Sequence, residues 1–114
     1  MFGFLKAKYI PSYIDDEVCK RLVEFLDYFS YSCKRIEKKM QNKDRSFLKE
    51  FDAELRKLFY KYNKPLCYNF FLQEGRFTFI LYYGRNDYLL TIFTALVDKK
   101  RDYHLDNWQF ISKK

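Results

Sequence analysis

Asn63–Leu72 (NKPLCYNFFL) is the stretch in which the spacing of apolar residues changes. Before Pro65, apolar residues recur every three or four positions, which is the spacing of one face of an α-helix. After Pro65, aromatic and β-branched residues come in short runs interrupted by turn residues, which is typical of strands. The sequence therefore predicts an α+β domain in which a pair of helices precedes most of the sheet.

Two amphipathic helices are predicted upstream of Pro65. The acidic run Asp15–Glu17 places negative charge at the start of the first helix, where the helix dipole favours it. A polar turn at Gln41–Asp44 separates the two helices, and Asp44 or Ser46 can cap the second. The apolar face of the first helix is formed by Val18, Leu22, Phe25, Leu26, Phe29, Cys33, Ile36 and Met40, and that of the second by Leu48, Phe51, Leu55, Leu58, Phe59 and Tyr62.

Several strands are predicted around this helical pair. Phe2–Ile10 reads as a short N-terminal strand, and Leu66–Leu72 and Phe77–Tyr83 alternate in the manner of a hairpin. Tyr88–Val97 is apolar on both sides, as expected of a central strand covered by helices, and Tyr103–Ile111 can supply a last strand or a docked tail. The predicted fold is one domain over residues 1–114, with an N-terminal strand, a helical hairpin and an antiparallel sheet of three to four strands packed on the helices.

The composition favours a folded, basic domain with a polyanionic partner. Hydrophobic residues make up 48% of the 114 residues and aromatic residues 22%, and the net charge is +7. Such a charge suits RNA, DNA, a ribosome, an acidic protein or an anionic membrane. A membrane partner is disfavoured, because the apolar helix faces are needed to cover the sheet and the longest apolar run is too short to span a bilayer. A cytoplasmic location is predicted, since the first residues do not resemble a signal peptide.

The cysteines and the single histidine do not form a metal-binding motif. Cys19, Cys33 and Cys67 are widely spaced and stand in apolar surroundings, so the sequence predicts reduced thiols in the core. No Cys-x-x-Cys pair occurs, and His104 has no cysteine nearby. Neither a metal nor a cofactor is predicted.

The first candidate site is a basic stretch around the turn between the helices. Four of its cations are the most direct candidates for nucleic-acid contact: Lys34, Arg35, Lys38 and Lys39; Lys43, Arg45 and Lys49 continue the cluster. Like charges four residues apart on a helix repel, and a polyanion relieves that repulsion while releasing counterions. An ordinary solvated helix face explains the same pattern.

The second candidate site is the run Lys99–His104. His104 can act as an acid or a base near neutral pH, and Tyr103 can stack on a base or donate a proton. Lys99, Lys100 and Arg101 can stabilise charge on a phosphate. A polar loop with an incidental histidine is the alternative. Two further candidates for phosphate contact, Arg76 and Arg85, stand beside predicted turns.

Part of this pattern resembles a known family. The run Phe77–Tyr83 looks like a central strand, Tyr88–Lys100 like a final apolar strand ending in a Lys-Lys pair, and Asp102–His104 like an acidic, tyrosine and histidine cluster at the end of a sheet. By these motifs, within residues 76–104, and by element order, the chain resembles the RelE/ParE toxin superfamily, including its HigB-like members.

The resemblance implies a toxin of a toxin–antitoxin pair, which acts as a ribosome-dependent mRNA endoribonuclease and is restrained by an antitoxin protein. On this interpretation Tyr103 and His104 orient the substrate and transfer protons, while Arg76 and the basic run Lys99–Arg101 contact phosphate. One alternative is a small phage- or plasmid-encoded protein without enzymatic activity that binds and inhibits a host protein or nucleic-acid complex through its basic and aromatic surface. A gyrase-poisoning toxin of the same superfamily is another.

Overall fold

Three helices and three strands make up residues 9–114, the part of the chain that the computed structural model describes. Their order along the chain is α1 (Asp16–Gln41), α2 (Leu48–Leu58), β1 (Cys67–Gln73), β2 (Arg76–Tyr82), α3 (Asp87–Lys100) and β3 (Trp108–Lys113). Short 3-10 helices at Pro11–Tyr13 and Arg101–Tyr103 precede α1 and follow α3. The α+β class predicted from the sequence is confirmed.

The helical pair forms as its apolar periodicity predicts. The carboxylate of Asp15 accepts a hydrogen bond from the Val18 N–H at 2.8 Å, which caps the first turn of α1. The predicted apolar face of α1 is buried from Val18 to Ile36, and Phe51, Leu55 and Leu58 of α2 are buried as well. No helix within residues 9–114 combines the length and the apolar content that crossing a bilayer requires.

The sheet has β2 in the middle and mixed strand directions. β1 pairs antiparallel with β2 through the turn at Glu74 and Gly75, whose φ angles of 53° and 76° are those that a tight hairpin requires. β3 pairs parallel with β2, with Phe77 opposite Trp108. The prediction of a wholly antiparallel sheet is therefore wrong for β3, because the chain crosses back through a helix before it enters this strand.

The stretch Tyr88–Val97, predicted as a central strand, is part of helix α3. The Asn86 side chain accepts a hydrogen bond from the Leu89 N–H at 2.9 Å and so caps the helix. The buried apolar positions, Leu89, Ile92, Phe93 and Leu96, follow helical spacing, and partly buried neighbours fill the flanks. A short run that is apolar on all sides has no clear period, which is why the sequence pattern misassigned it.

The two ends of the described chain also depart from prediction. The predicted strand Phe2–Ile10 lies mostly outside the described residues, and its last two residues are not in a strand. Instead the Ile10 N–H donates to the Thr91 hydroxyl oxygen of α3 at 2.9 Å. The charged stretch 98–102, which follows the predicted strand Tyr88–Val97, forms the end of α3 and most of the 3-10 helix after it. At the carboxyl end, a strand forms only from Trp108 onward.

The cysteines are only partly in the core. Cys33 is buried on the apolar face of α1, as predicted, whereas Cys19 and Cys67 are exposed. The prediction of core positions is wrong for these two, because Cys19 lies off the apolar stripe of α1 and Cys67 begins β1 on the side of the sheet that faces away from the helices.

All three helices pack on one face of the sheet. Phe29 of α1 contacts Phe110 at 5.3 Å between ring centroids, Phe51 of α2 contacts Phe79 at 5.1 Å, and Phe93 of α3 contacts Phe79 at 5.7 Å. Edge-to-face contacts of this kind add to the stability that burial of the rings provides. The described residues therefore form two layers, helices over a sheet.

Candidate nucleic-acid interface

One end of the sheet gathers most of the residues that the sequence marks as candidates. At this end β1 stops and both β2 and β3 begin, because Gln73 pairs with Arg76 and the Phe77 N–H donates to the Asn107 carbonyl at 3.0 Å. We call it the hairpin end. Arg76 therefore lies beside the segment that joins α3 to β3, which contains Tyr103 and His104.

The second half of α1, which contains Lys34, Arg35, Lys38 and Lys39 and which we call the basic half, reaches the same end. The indole Nε1 of Trp108, at the start of β3, donates to Glu37 Oε2 of α1 at 2.8 Å, and both side chains are buried. Lys34 Nζ lies 3.9 Å from the other oxygen of this carboxylate. Since Lys34 and Lys38 flank Glu37, the structure brings these two predicted cations to the hairpin end.

The last turn of α3 also ends there. Lys100 Nζ donates to the Trp108 carbonyl at 3.0 Å and lies 5.4 Å from the centroid of the Phe110 ring. Burial lowers the pKa of Lys100, and Asp106 partly opposes this shift. Lys100, predicted to contact phosphate, thus secures the connection between α3 and β3.

Several of the predicted cations are paired within the protein. Arg35 donates to both oxygens of Glu50 at 3.0 and 2.9 Å, which links α1 to α2. Lys39 donates to Asp44 and to the Ser46 hydroxyl at the turn between the helices. Lys99 and Arg101 form long, exposed ion pairs with Asp102 at 3.7 Å and with Asp98 at 3.8 Å, which hold them only weakly.

Other predicted cations, at the hairpin end or on the helical layer near it, have no carboxylate partner within residues 9–114. Within residues 9–114, no ion pair engages Lys38, Lys43, Arg45, Lys49 or Arg76. These side chains come from α1, from the turn after it, from α2 and from β2. The positive charge of this end is therefore available to a ligand.

A cavity of about 310 Å³ opens among these cations. Its apolar part includes Phe47 and Phe70, whose rings meet edge to face at 5.2 Å, and its polar rim includes Lys43, Asp44 and Arg45. Hydrogen bonds from Ser46 and from Lys39 lower the pKa of Asp44, so its charge is satisfied internally. An apolar hollow with two cations at its rim suits an anion that carries a flat apolar group, such as a nucleotide.

The sequence marked Lys43 and Arg45 as basic but did not reveal the cavity between them. The cavity depends on Phe70, which β1 brings against Phe47 from more than twenty positions away. Phe47 and Arg45, an aromatic and a cation close together in a turn, were the available local signal.

The predicted proton-transfer residues Tyr103 and His104 follow α3 directly but have different surroundings. The Tyr103 hydroxyl donates to Asp27 Oδ1 at 3.1 Å, and burial together with this hydrogen bond raises the pKa of Tyr103. His104 is exposed and has left-handed backbone angles, φ 50° and ψ 47°. Within residues 9–114 no hydrogen bond or ion pair orients its ring, whereas an acid/base residue requires a fixed position.

Arg85 is separated from the other candidates. It follows β2 at the opposite end of the sheet, where the Tyr83 N–H donates to the Lys113 carbonyl at 2.8 Å. The length of β2, about 20 Å for six strand steps, lies between Arg76 and this end. Arg85 and Arg76 therefore do not form one phosphate site.

A comparison with family models, curated proteins and solved structures finds no significant match for this chain. Among the described residues, no group of three or more His, Cys, Asp and Glu side chains is placed to hold a metal ion. Membership of the RelE/ParE superfamily stays a prediction. The stretch Tyr88–Lys100, which this resemblance equated with a final strand, lies entirely within α3.

Proposed function

We propose that this protein binds RNA without cleaving it and that the contact surface is the hairpin end. The observation that carries the proposal is the convergence of Lys38, Lys43, Arg45 and Arg76, four cations from three separate parts of the chain that lack carboxylate partners within residues 9–114. Its partner is RNA, either free or within a host ribonucleoprotein complex whose action the protein blocks.

Phosphate contacts of this kind have a measurable signature. Each cation that neutralises a phosphate releases condensed counterions, so the logarithm of the affinity falls with the logarithm of the salt concentration. For single strands the slope is about 0.7 per phosphate contact. The cavity beside Lys43 and Arg45 offers room for one unstacked base.

The test is the salt dependence of binding to a fluorescently labelled RNA, measured by anisotropy. In the triple variant Lys43→Ala, Arg45→Ala and Arg76→Ala, we expect weaker binding and a slope that is smaller by about 2, which corresponds to three lost contacts.

A matched control is the triple variant Lys20→Ala, Lys64→Ala and Arg85→Ala. It removes the same net charge, and its three side chains lie away from the hairpin end and have no ion-pair partner within residues 9–114. Equal losses of affinity and slope in both variants would mean that net charge, rather than this surface, governs binding.

A second candidate function is the ribosome-dependent mRNA endoribonuclease of a toxin–antitoxin pair. The observation in its favour is that β2 and the segment after α3 bring Arg76 and His104 to the same end of the sheet. An arginine that holds phosphate beside an imidazole is suited to cleavage through a 2′-hydroxyl, provided that ribosome binding orients the ring.

This candidate is tested in a bacterial cell-free translation reaction in which new mRNA 5′ ends are mapped with and without ribosomes. The toxin interpretation requires cuts that depend on ribosomes and disappear in His104→Ala. If the wild-type protein leaves the mRNA intact while binding RNA by anisotropy, the nuclease candidate is rejected and the binding function stands.

A further inference from the structure

The sheet has a second face that no described helix covers. The helices contact side chains such as Phe70, Phe79 and Phe110, whereas the odd-numbered residues of β1 and β3 and the even-numbered residues of β2 point the other way. We call these residues the outer face. Within residues 9–114 no helix packs on it, and all of its side chains except that of Ile80 are partly or fully exposed.

The outer face carries no acidic residue. Its charged side chains are Arg76 at the hairpin end and Lys113 at the opposite end, and the positions between them are neutral. In a chain with 15 Asp and Glu residues, a whole sheet face free of carboxylates presents no repulsion to an anionic partner. The charge of this face is therefore complementary to a phosphate backbone.

Two aromatic side chains stand exposed on the same face. Phe71 is 45% exposed and Tyr82 is 37% exposed, while Ile80 between them is only 6% exposed. Phe71 pairs with Thr78, four positions before Tyr82 on β2, so the two rings are set roughly 13 Å apart along the sheet. Solvated sheet faces normally carry polar side chains, and flat rings in these positions are suited to stacking on bases.

We propose that the outer face is a stacking surface for single-stranded RNA, with bases on Phe71 and Tyr82 and the backbone between Arg76 and Lys113. The inference rests on the proposed function, because Arg76 belongs both to the hairpin end and to the outer face. The RNA must be single-stranded, because bases have to be unpaired to stack on these rings. A duplex is therefore a poor ligand.

The experiment compares binding of a single-stranded RNA of about 12 nucleotides with binding of the duplex of the same sequence at one salt concentration. We expect the wild-type protein to prefer the single strand. Phe71→Leu should weaken single-strand binding roughly 5- to 150-fold and leave duplex binding unchanged, because it removes one stacking ring without removing charge.

Two variants control for folding and for general loss of an aromatic residue. Phe71→Trp keeps a stacking ring and should bind the single strand at least as well as the wild type. Tyr31→Ala removes a ring that is 92% exposed on α1, away from the sheet, and should bind like the wild type. If Phe71→Leu fails to fold, Phe71→Trp and Tyr82→Leu are compared instead. The stacking proposal then requires that Tyr82→Leu loses binding to the single strand while Phe71→Trp keeps it.

The outcomes separate this inference from the proposed function. If Phe71→Leu and Tyr82→Leu bind like the wild type while the hairpin-end triple variant does not, the stacking surface is rejected and RNA binding at the hairpin end stands. If the wild type binds neither RNA, both proposals fail. If light scattering shows a dimer that Phe71→Leu dissociates, the outer face is an interface between copies and the stacking proposal is overturned.

Discussion

At the scale of single residues, two tyrosines lie where α1, α2 and β1 meet. The hydroxyl of Tyr28 is buried, and within residues 9–114 it has no hydrogen-bond partner. The hydroxyl of Tyr68 donates to Asp52 Oδ1 at 2.9 Å. Burial raises the pKa of both groups, and the carboxylates of Glu50 and Asp52 add to the shift at Tyr28 and Tyr68 respectively.

These tyrosines should make the fold sensitive to alkaline pH. In the unfolded chain a tyrosine loses its proton near pH 10, whereas the folded protein retains both protons well above that pH. Because the unfolded state then binds fewer protons, the free energy of unfolding should fall as the pH rises above about 10. Urea unfolding measured between about pH 8 and 11 should show this fall, and the double variant Tyr28→Phe and Tyr68→Phe should show a shallower one.

The control for that measurement is Tyr31→Phe, because Tyr31 is exposed and its loss should leave the pH dependence unchanged. Lys100 acts in the opposite direction, since a lowered lysine pKa lets the folded state release a proton first, but it is present in every variant. Identical pH profiles for the wild type and the double variant would contradict the assignment to Tyr28 and Tyr68.

At the scale of elements, α3 is the segment in which the structure departs most from the sequence prediction, because a helix forms where a strand was predicted. Its start depends on one side chain. The Asn86 amide oxygen accepts a hydrogen bond from the Leu89 N–H group, which would otherwise have no partner in the helix. Asn86→Ala should therefore lower the free energy of unfolding by about 1 kcal/mol in urea titrations. Asn86→Asp keeps the acceptor and adds a favourable charge at the helix start, so it should be at least as stable as the wild type.

Equal stability of Asn86→Ala and Asn86→Asp would show that the cap does not contribute to α3. The other helices were predictable because each has a continuous apolar stripe beside charged residues, and α1 adds a capping carboxylate at Asp15. In α3 most side chains are apolar, so the period had little contrast and only the local cap at Asn86 indicated a helix.

At the scale of the whole molecule, α3 determines where the last strand begins. A helix of 14 residues is about 21 Å long, close to the length of β2, so it returns the chain to the hairpin end. β3 can then start beside Arg76 and run parallel to β2. This crossover places Trp108 against Glu37 and joins the end of α3 to the basic half of α1.

The same topology accounts for both proposed surfaces. Because all the helices pack on one face, the other face of the sheet keeps its rings and its two cations open within residues 9–114. Because the ends of α1 and α3 lie near the β1–β2 turn, the cations of these segments gather at the hairpin end. Arg76 is where the two surfaces meet, so its loss should affect binding through either of them.

The sequence by itself determined the helical pair, the β1–β2 hairpin and the two basic stretches, because each follows from periodicity, caps and turn residues within a few positions of one another. The tertiary structure alone decided that β3 runs parallel to β2 and that Lys100 and Glu37 form hydrogen bonds with Trp108. It also decided which of the predicted cations have no ion-pair partner within residues 9–114. Those outcomes depend on contacts between residues far apart in the chain: Glu37 and Trp108 are 71 positions apart. Local patterns carry no information on such partners, since the partner is set by how the helices and the sheet pack.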